Sequence, residues 1–289
     1  MKTLRKAAPE PLRRAGRQAY LRVGTATAPK RLLPSFIMIG GQRCGTTSLF
    51  RALTAHPQVV RPAFHKGINF FDLNYHRGMT WYRGHFPVSS IAAAVTARHG
   101  GPVSFEASGY YMYHPFALER IARDLPQTKL VVMLRDPVER AYSAYRHELS
   151  RGYEWETFEK ALALEDDRLI GELDRMRADV SYESFPHRHH SYRHRGHYAD
   201  LLQRAFDLFP REQVHVIDSE MFFGKPALEY QRLLEFLGLS PFELSAFGRH
   251  NAEPGTPMEP ATRQMLEEHY AVHNKRLAEL LDWPSQWPR

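Results

Sequence analysis

The stretch Phe36-Ile-Met-Ile-Gly-Gly-Gln-Arg-Cys-Gly-Thr-Thr-Ser-Leu-Phe50 constrains this chain more than any other part of it. Phe36 to Ile39 is a short apolar run, the pattern of a buried strand. The run breaks at Gly40-Gly41, turns through Gln42-Arg43-Cys44-Gly45, and restarts at Thr46 with Leu49, Phe50 and Leu53 at helical spacing. A strand, a glycine-rich loop and a helix in that order aim several backbone N–H groups at one place. First-turn amides lack intrahelical partners and the helix dipole favours negative charge, so such a place binds anions. Gly40, Gly45 and Thr47 fit the G-x-x-x-x-G-x-[ST] frame of the nucleotide P-loop. Thr46, however, stands where that loop needs a lysine to reach the β- and γ-phosphates. The cation here is Arg43, inside the loop.

The rest of the chain alternates strands with helices. Val59-Val60, Val103–Glu106, Lys129–Leu134 and Gln213–Ile217 read as further strands. Helices are expected over 91–99, 116–124, 137–150, 156–177, 198–209, 226–237 and 260–281, with prolines 284 and 288 beyond the last. Residues 61–87 and 180–197 carry many aromatics and histidines without a clean period; the first reads as a long structured loop with a short helix, the second as a loop. This order predicts an α/β, P-loop-like three-layer α/β/α fold around a central parallel sheet, with ligands at the carboxyl ends of the strands. The clearest strand, Lys129–Leu134, runs straight into Arg135-Asp136-Pro137-Val138-Glu139-Arg140. Asp136 is a good N-cap, Pro137 suits the first helical position, and Glu139 completes a capping-box-like pair. Two strand ends, Gly40–Thr47 and Arg135 to Ser143, therefore make a two-anchor site suited to a ligand with two separated anionic groups.

Composition sets outer limits. The 289 residues, 43% of them hydrophobic, can bury a sizeable core. There is no uncharged apolar run of about 18 residues and no apolar stretch after the charged start, so neither a membrane span nor a secretory signal is expected. The single Cys44 excludes an intrachain disulfide framework and a multi-cysteine zinc site. A cytoplasmic protein is expected. Of the net +7, residues 1–33 contribute +8 and the remainder −1. The basic arm reads as a solvated, poorly ordered terminus preceding a single domain at 34–289, with weak contact to anionic membrane as the partner such an arm allows. No nucleic-acid partner is expected, and oligomeric state is not readable.

At this point a family resemblance becomes specific. Gly41-Gln-Arg-Cys-Gly-Thr-Thr-Ser48 resembles the 5′-phosphosulfate-binding loop of sulfotransferases that use 3′-phosphoadenylyl sulfate (PAPS). Leu134-Arg-Asp-Pro-Val-Glu-Arg-Ala-Tyr-Ser-Ala-Tyr145 resembles their 3′-phosphate-binding segment. Lys66 to Phe71, Trp81-Tyr82, Phe86-Pro87, Gly196-His-Tyr198 and Phe236-Leu-Gly-Leu239 agree, so the resemblance covers about residues 34–281 and is closest to the heparan-sulfate type. It implies transfer of a sulfuryl group to an acceptor hydroxyl on a sugar, glycolipid or other natural product, releasing adenosine 3′,5′-bisphosphate (PAP). It assigns the 5′-phosphosulfate to Arg43, Cys44, Gly45, Thr46 and Thr47, and the 3′-phosphate to Arg135 and Ser143. Arg43 would stabilise charge building on the bridging oxygen, and no metal would be needed.

The acceptor side departs from the pattern. Heparan-type relatives carry a glutamate before the aliphatic-x-Phe-Phe run, where this chain has Gly67. Candidates to take the acceptor proton are His65, whose ordinary pKa suits the task, and Glu106 at the end of the second long strand. Glu106 reads equally well as a structural carboxylate. Lys66 is expected to steady sulfate oxygens. The run His187-Arg-His-His190 with His194 and His197 has irregular spacing and no helix to fix its rings, so it reads as a mobile basic loop and no metal ligand is assigned. Two other readings are a nucleotide or small-molecule kinase, opposed by the missing P-loop lysine, and a non-enzymatic binding protein using the basic arm.

Overall fold

A computed structural model describes residues 10–244, 257–283 and 287. The first nine residues of the basic arm and the prolines at 284 and 288 lie outside the described residues. Five strands form one sheet: β1 (Phe36–Gly40), β2 (Val59–Val60), β3 (Val103–Ala107), β4 (Lys129–Leu134) and β5 (Val214–Asp218), in the order β2-β3-β1-β4-β5. Every pairing is parallel. The helices that matter below are α1 (Glu10–Ala26), α2 (Thr46–Ala55), α3 (Pro137–Ser150), α4 (Tyr198–Leu208), α5 (Pro226–Leu237) and α6 (Pro260–Leu281).

The central strands are covered on both faces, which is why they read as unbroken apolar runs. Side chains of a strand alternate between faces. Ile37, Ile39, Leu130, Val132 and Leu134 enter one core, with Leu201 and Leu202 of α4 and Leu277 of α6. Phe36, Met38, Val131 and Met133 enter the other, against Leu49 and Leu53 of α2 and Leu233 and Leu234 of α5. Burial of each such side chain contributes about 1.5–3 kcal/mol. The result is the expected three-layer α/β/α arrangement. β1 lies between β3 and β4, so chain connections leave it in both directions and open a crevice at the carboxyl ends. Asp136 caps α3 as expected, its Oδ1 accepting from the N–H groups of Val138 at 2.8 Å and Glu139 at 3.2 Å. Glu139 does not reach back to complete a box; it pairs with Arg263 at 2.5 Å and Arg135 at 3.5 Å.

Three segments differ from their sequence reading. Residues 10–31 are not a loose arm: α1 is a 17-residue helix packed on helix Gly78–Arg83. Gly24 and Gly84 meet backbone to backbone, where a Cβ on Gly24 would fall 2.3 Å from the Gly84 carbonyl oxygen. Arg31 is buried and donates to the Phe86 carbonyl at 2.6 Å and the Thr27 hydroxyl at 2.8 Å, so part of the arm's charge is structural. The single helix expected over 156–177 is three, Phe158–Ala163, Glu165–Leu169 and Glu172–Ala178. Ile170 is extended and Gly171 has φ 73°, while the buried Glu165 carboxylate accepts from the N–H groups of Arg193 and His194. Sequence periodicity does not register such a tertiary demand on one carboxylate. The run 180–197, expected as a mobile loop, contains helix Phe185–His189 and is packed: His187 and His190 are buried, bonded to the Tyr110 hydroxyl (2.7 Å) and the Tyr153 carbonyl (2.8 Å). Among the described residues no helix is long and apolar enough to cross a membrane.

Candidate active site

A cleft of about 470 Å³ opens at the carboxyl edge of the sheet. The loop after β1 supplies Gln42, Arg43, Cys44, Gly45, Thr46 and Thr47; the turn after β3 supplies Gly109. Arg135, Ser143 and His147 come from the end of β4 and from α3, and Ser219, Glu220, Phe223 and Gly224 from the segment after β5. Lys66 reaches in from the segment between β2 and β3. All seven residues assigned to anion binding from the sequence thus line one cleft.

Local chemistry explains the loop. Gly45 takes φ 91° as the N-cap of α2, a left-handed conformation open to glycine, and has no side chain to stand between the helix N-terminus and the cleft. It also lets the Phe223 ring approach, since a Cβ there would lie 2.8 Å from that ring. Arg43 donates through Nε to the Ser143 hydroxyl at 3.0 Å, so the two sequence motifs are joined across 100 residues. Cys44 is wholly buried; burial pushes its thiol pKa up, against the opposing pull of Arg140, so its side chain fills space behind the loop. Tyr198 donates to the Arg135 carbonyl at 3.0 Å and touches the Cys44 sulfur at 3.8 Å. Arg195, also buried, donates to Gln42 at 2.5 Å, so the histidine-rich segment braces the anion loop from behind.

Lys66 donates to the Thr46 hydroxyl at 2.9 Å. Thr46 is the position at which a nucleotide P-loop carries its lysine, so the ammonium missing from the loop arrives from another segment. Burial pushes the Lys66 pKa down to about 8. With Arg43 and Arg135 it makes three cations against one cleft carboxylate, Glu220.

The other two candidates lie elsewhere. Glu106 is fully buried at the end of β3 and does not line the cleft. Its two oxygens accept from the Ile68 N–H, the Ser108 hydroxyl, and the hydroxyls of Tyr82 and Tyr111, all within 2.7–2.9 Å. Burial raises its pKa against the pull of those four donors. Of the two sequence readings of Glu106, this geometry is the one that a structural carboxylate would have. His65 is exposed and lines a second cleft of about 380 Å³, with Arg17 and Leu21 of α1 and with Asn69, Arg77 and Trp81. Burial of part of the ring, then the Arg17 charge, lowers its pKa and favours the neutral imidazole. Successive residues 65 and 66 therefore face different clefts. At Gly67 the backbone lies flush against β3, where a Cβ would fall 2.5 Å from the Ala107 carbonyl oxygen and 2.7 Å from the Ser108 hydroxyl. A glutamate cannot stand here without a shift of the backbone.

The sequence reading gives Gln42 no role, takes His147 for a packed or surface histidine, and does not point to the residues after β5, all of which line the cleft. His147 stands one helical turn beyond Ser143, and Asp218 caps the segment after β5 as Asp136 caps α3, with its Oδ1 2.7 Å from the Glu220 nitrogen. Those two signals point to them.

Comparison with known proteins gives the family and the fold. A family model described as "Sulfotransferase domain" matches residues 33–250. The chain is 27% identical over 281 residues to human bifunctional heparan sulfate N-deacetylase/N-sulfotransferase 3, which takes in 86% of this chain and 30% of that protein. It is 27% identical over 285 residues to the bifunctional heparan sulfate N-deacetylase/N-sulfotransferase of Drosophila melanogaster, over 86% of this chain and 26% of the relative. The chain thus spans under a third of the length of these relatives. A solved sulfotransferase from Alicyclobacillus acidocaldarius superposes with a TM-score of 0.64 at 30% identity, covering 89% of this chain and all of that one.

Proposed function

The chain belongs to the sulfotransferase domain family, and from that premise we propose that its donor is PAPS and its acceptor a hydroxyl on a sugar or related natural product. One observation carries the donor reading: three cations and four hydroxyls, from the ends of β1, β4 and β5 and from the segment between β2 and β3, line one crevice that a helix N-terminus also faces. The loop after β1 and Lys66 hold the 5′-phosphosulfate, and Arg135 with Ser143 holds the 3′-phosphate. Because Arg43 bonds to Ser143, one guanidinium lies between the two anion positions. Its planar N–H groups suit a shared oxyanion. Transfer forms an acceptor O–S bond while the bond from sulfur to the bridging phosphate oxygen breaks, and Arg43 and Lys66 neutralise the charge left on that oxygen.

No base for the acceptor proton is assigned in this scheme, because His65, the sequence candidate, faces the second cleft and a base must reach the attacking hydroxyl. That second cleft joins basic to aromatic groups, with the Arg77 guanidinium 5.1 Å from the Trp81 ring centre. Such a surface suits a polyhydroxylated, anionic sugar. The relatives' names make an amino sugar the second acceptor to try.

The test combines binding with turnover. PAP, and not Mg-ATP, is expected to raise the unfolding midpoint; stabilisation by Mg-ATP alone would restore the kinase reading. With a sulfated product detected from PAPS, His65→Ala is expected to keep both turnover and PAP stabilisation. Turnover lost with PAP stabilisation kept would instead put His65 at the acceptor hydroxyl.

Lys66 gives the donor reading a pH signature. The protonated amine binds the anion, so the bound pKa lies above the free value of about 8. Affinity for PAP is therefore full below pH 8 and falls about tenfold per unit as pH rises beyond it, since a phosphate is already ionised above about pH 6. Lys66→Arg flattens this profile. A wild-type affinity constant from pH 7 to 10 would contradict the assignment.

A further inference from the structure

We propose that His197, His269 and His273 form a binding site for one divalent transition-metal ion of the zinc class, apart from the sulfuryl-transfer cleft. His269 and His273 stand one turn apart on α6, so both imidazoles leave the same helix face. His197 comes from the turn that opens α4. One ring nitrogen of each lies within 4.8 Å of the other two, the one such grouping of His, Cys, Asp or Glu side chains among the described residues. Nε2 of His197 is 2.8 Å from Nε2 of His269. A tetrahedral ion with metal–nitrogen bonds of about 2.0–2.1 Å holds its ligand nitrogens about 3.4 Å apart. That spacing lies above the 2.8 Å separation and within the 4.8 Å bound of the group, and because the His197 and His273 rings are stacked 3.9 Å apart, one of them turns to aim its nitrogen at a shared ion.

The surroundings point the same way. His273 Nδ1 makes no hydrogen bond and lies 3.9 Å from an oxygen of Asp200. A carboxylate behind Nδ1 is the arrangement that turns Nε2 toward a metal. Three imidazoles and no direct carboxylate select zinc, cobalt, nickel or copper over calcium or magnesium. Three protein ligands also leave a fourth position for water.

The site has a mechanical consequence. Between His269 and His273, Tyr270 donates to the Arg193 carbonyl at 2.8 Å and lies against Gly196, where a Cβ would fall 2.6 Å from its ring. His197 itself sits between Arg195, bonded to Gln42, and Tyr198, bonded to the Arg135 carbonyl. An ion here ties α6 to the segment that braces both anion-binding motifs. Within 187–197 alone the histidine spacing argues against a metal. The i, i+4 pair that completes the set stands some 70 residues further along, and only the packing of α6 on α4 brings it near.

The test uses the full chain without a histidine tag, stripped with a chelator and titrated with Co²⁺ and then Zn²⁺. One equivalent of Co²⁺ is expected to give visible absorption bands that Zn²⁺ abolishes, with a rise in unfolding midpoint. His269→Asn and His273→Asn, which keep size and polarity, should each weaken binding by more than the roughly 10–100-fold that loss of an outer-shell partner brings. The control His99→Asn, at an exposed position elsewhere, should leave it unchanged. Circular dichroism of the stripped variants separates loss of the site from loss of the fold. Binding that survives both substitutions in folded protein overturns the proposal, as does the absence of stoichiometric binding to the wild type.

Discussion

Arg43→Ala and Arg135→Ala are each expected to abolish most of the thermal stabilisation that PAP gives the wild-type protein. A hydrogen bond from a charged group contributes about 1.5–3 kcal/mol, so each loss weakens binding by roughly 10- to 150-fold. Folding should survive. Arg43 sits at φ 66°, a strain that alanine shares, and Arg135 is half-exposed, its ion pair to Glu139 a long 3.5 Å. Arg43→Lys should recover part of the affinity, because the charge remains and the planar donor is lost. Two alanine variants that bind PAP within about threefold of wild type, about 0.7 kcal/mol, would remove both residues from the donor site.

Glu106→Ala should unfold the protein more readily than any cleft substitution. Its carboxylate gathers four donors from three segments, and Tyr111, one of the four, also accepts from the N–H groups of Phe70 at 2.8 Å and Phe71 at 3.2 Å. Removing the acceptor leaves buried donors unpaired at about 1–3 kcal/mol each, so a loss of more than about 4 kcal/mol is expected in denaturant titration. Glu106→Gln restores two acceptor sites on one oxygen but brings an NH₂ against hydroxyl donors, and should fall between. A general base in this position would behave otherwise, with turnover lost and stability kept. A Glu106→Ala protein within about 1 kcal/mol of wild type would end the structural reading.

These two expectations mark where the sequence was legible. Arg43, Thr46, Thr47, Arg135 and Ser143 were readable because each sits in a short strand–turn–helix unit whose shape is set locally, by glycines, an N-cap and a first-turn proline. Glu106 was only half readable. Its position at a strand end is local information, but its partners lie 24 and 38 residues away at Tyr82 and Ile68. Gly67 shows the same limit. The sequence reveals that the glutamate of heparan-type relatives is missing, and the structure adds that backbone pressed on β3 has no room for any side chain there.

The amino-acid sequence by itself determined the order of strands and helices, the burial of β1 and β4 on both faces, and the two turns at their ends that we propose hold the donor's anions. Those follow from period, apolar runs and capping, which act over a few residues. The tertiary structure decided what aperiodic stretches do. It sends Lys66 to Thr46 and His65 to a second cleft, makes a docked helix of residues 10–26 within the basic arm, and packs the histidine-rich run against the loop at Gln42. Each of these depends on contacts between segments far apart in the chain, and such contacts exist only once the sheet order has brought the strand ends together.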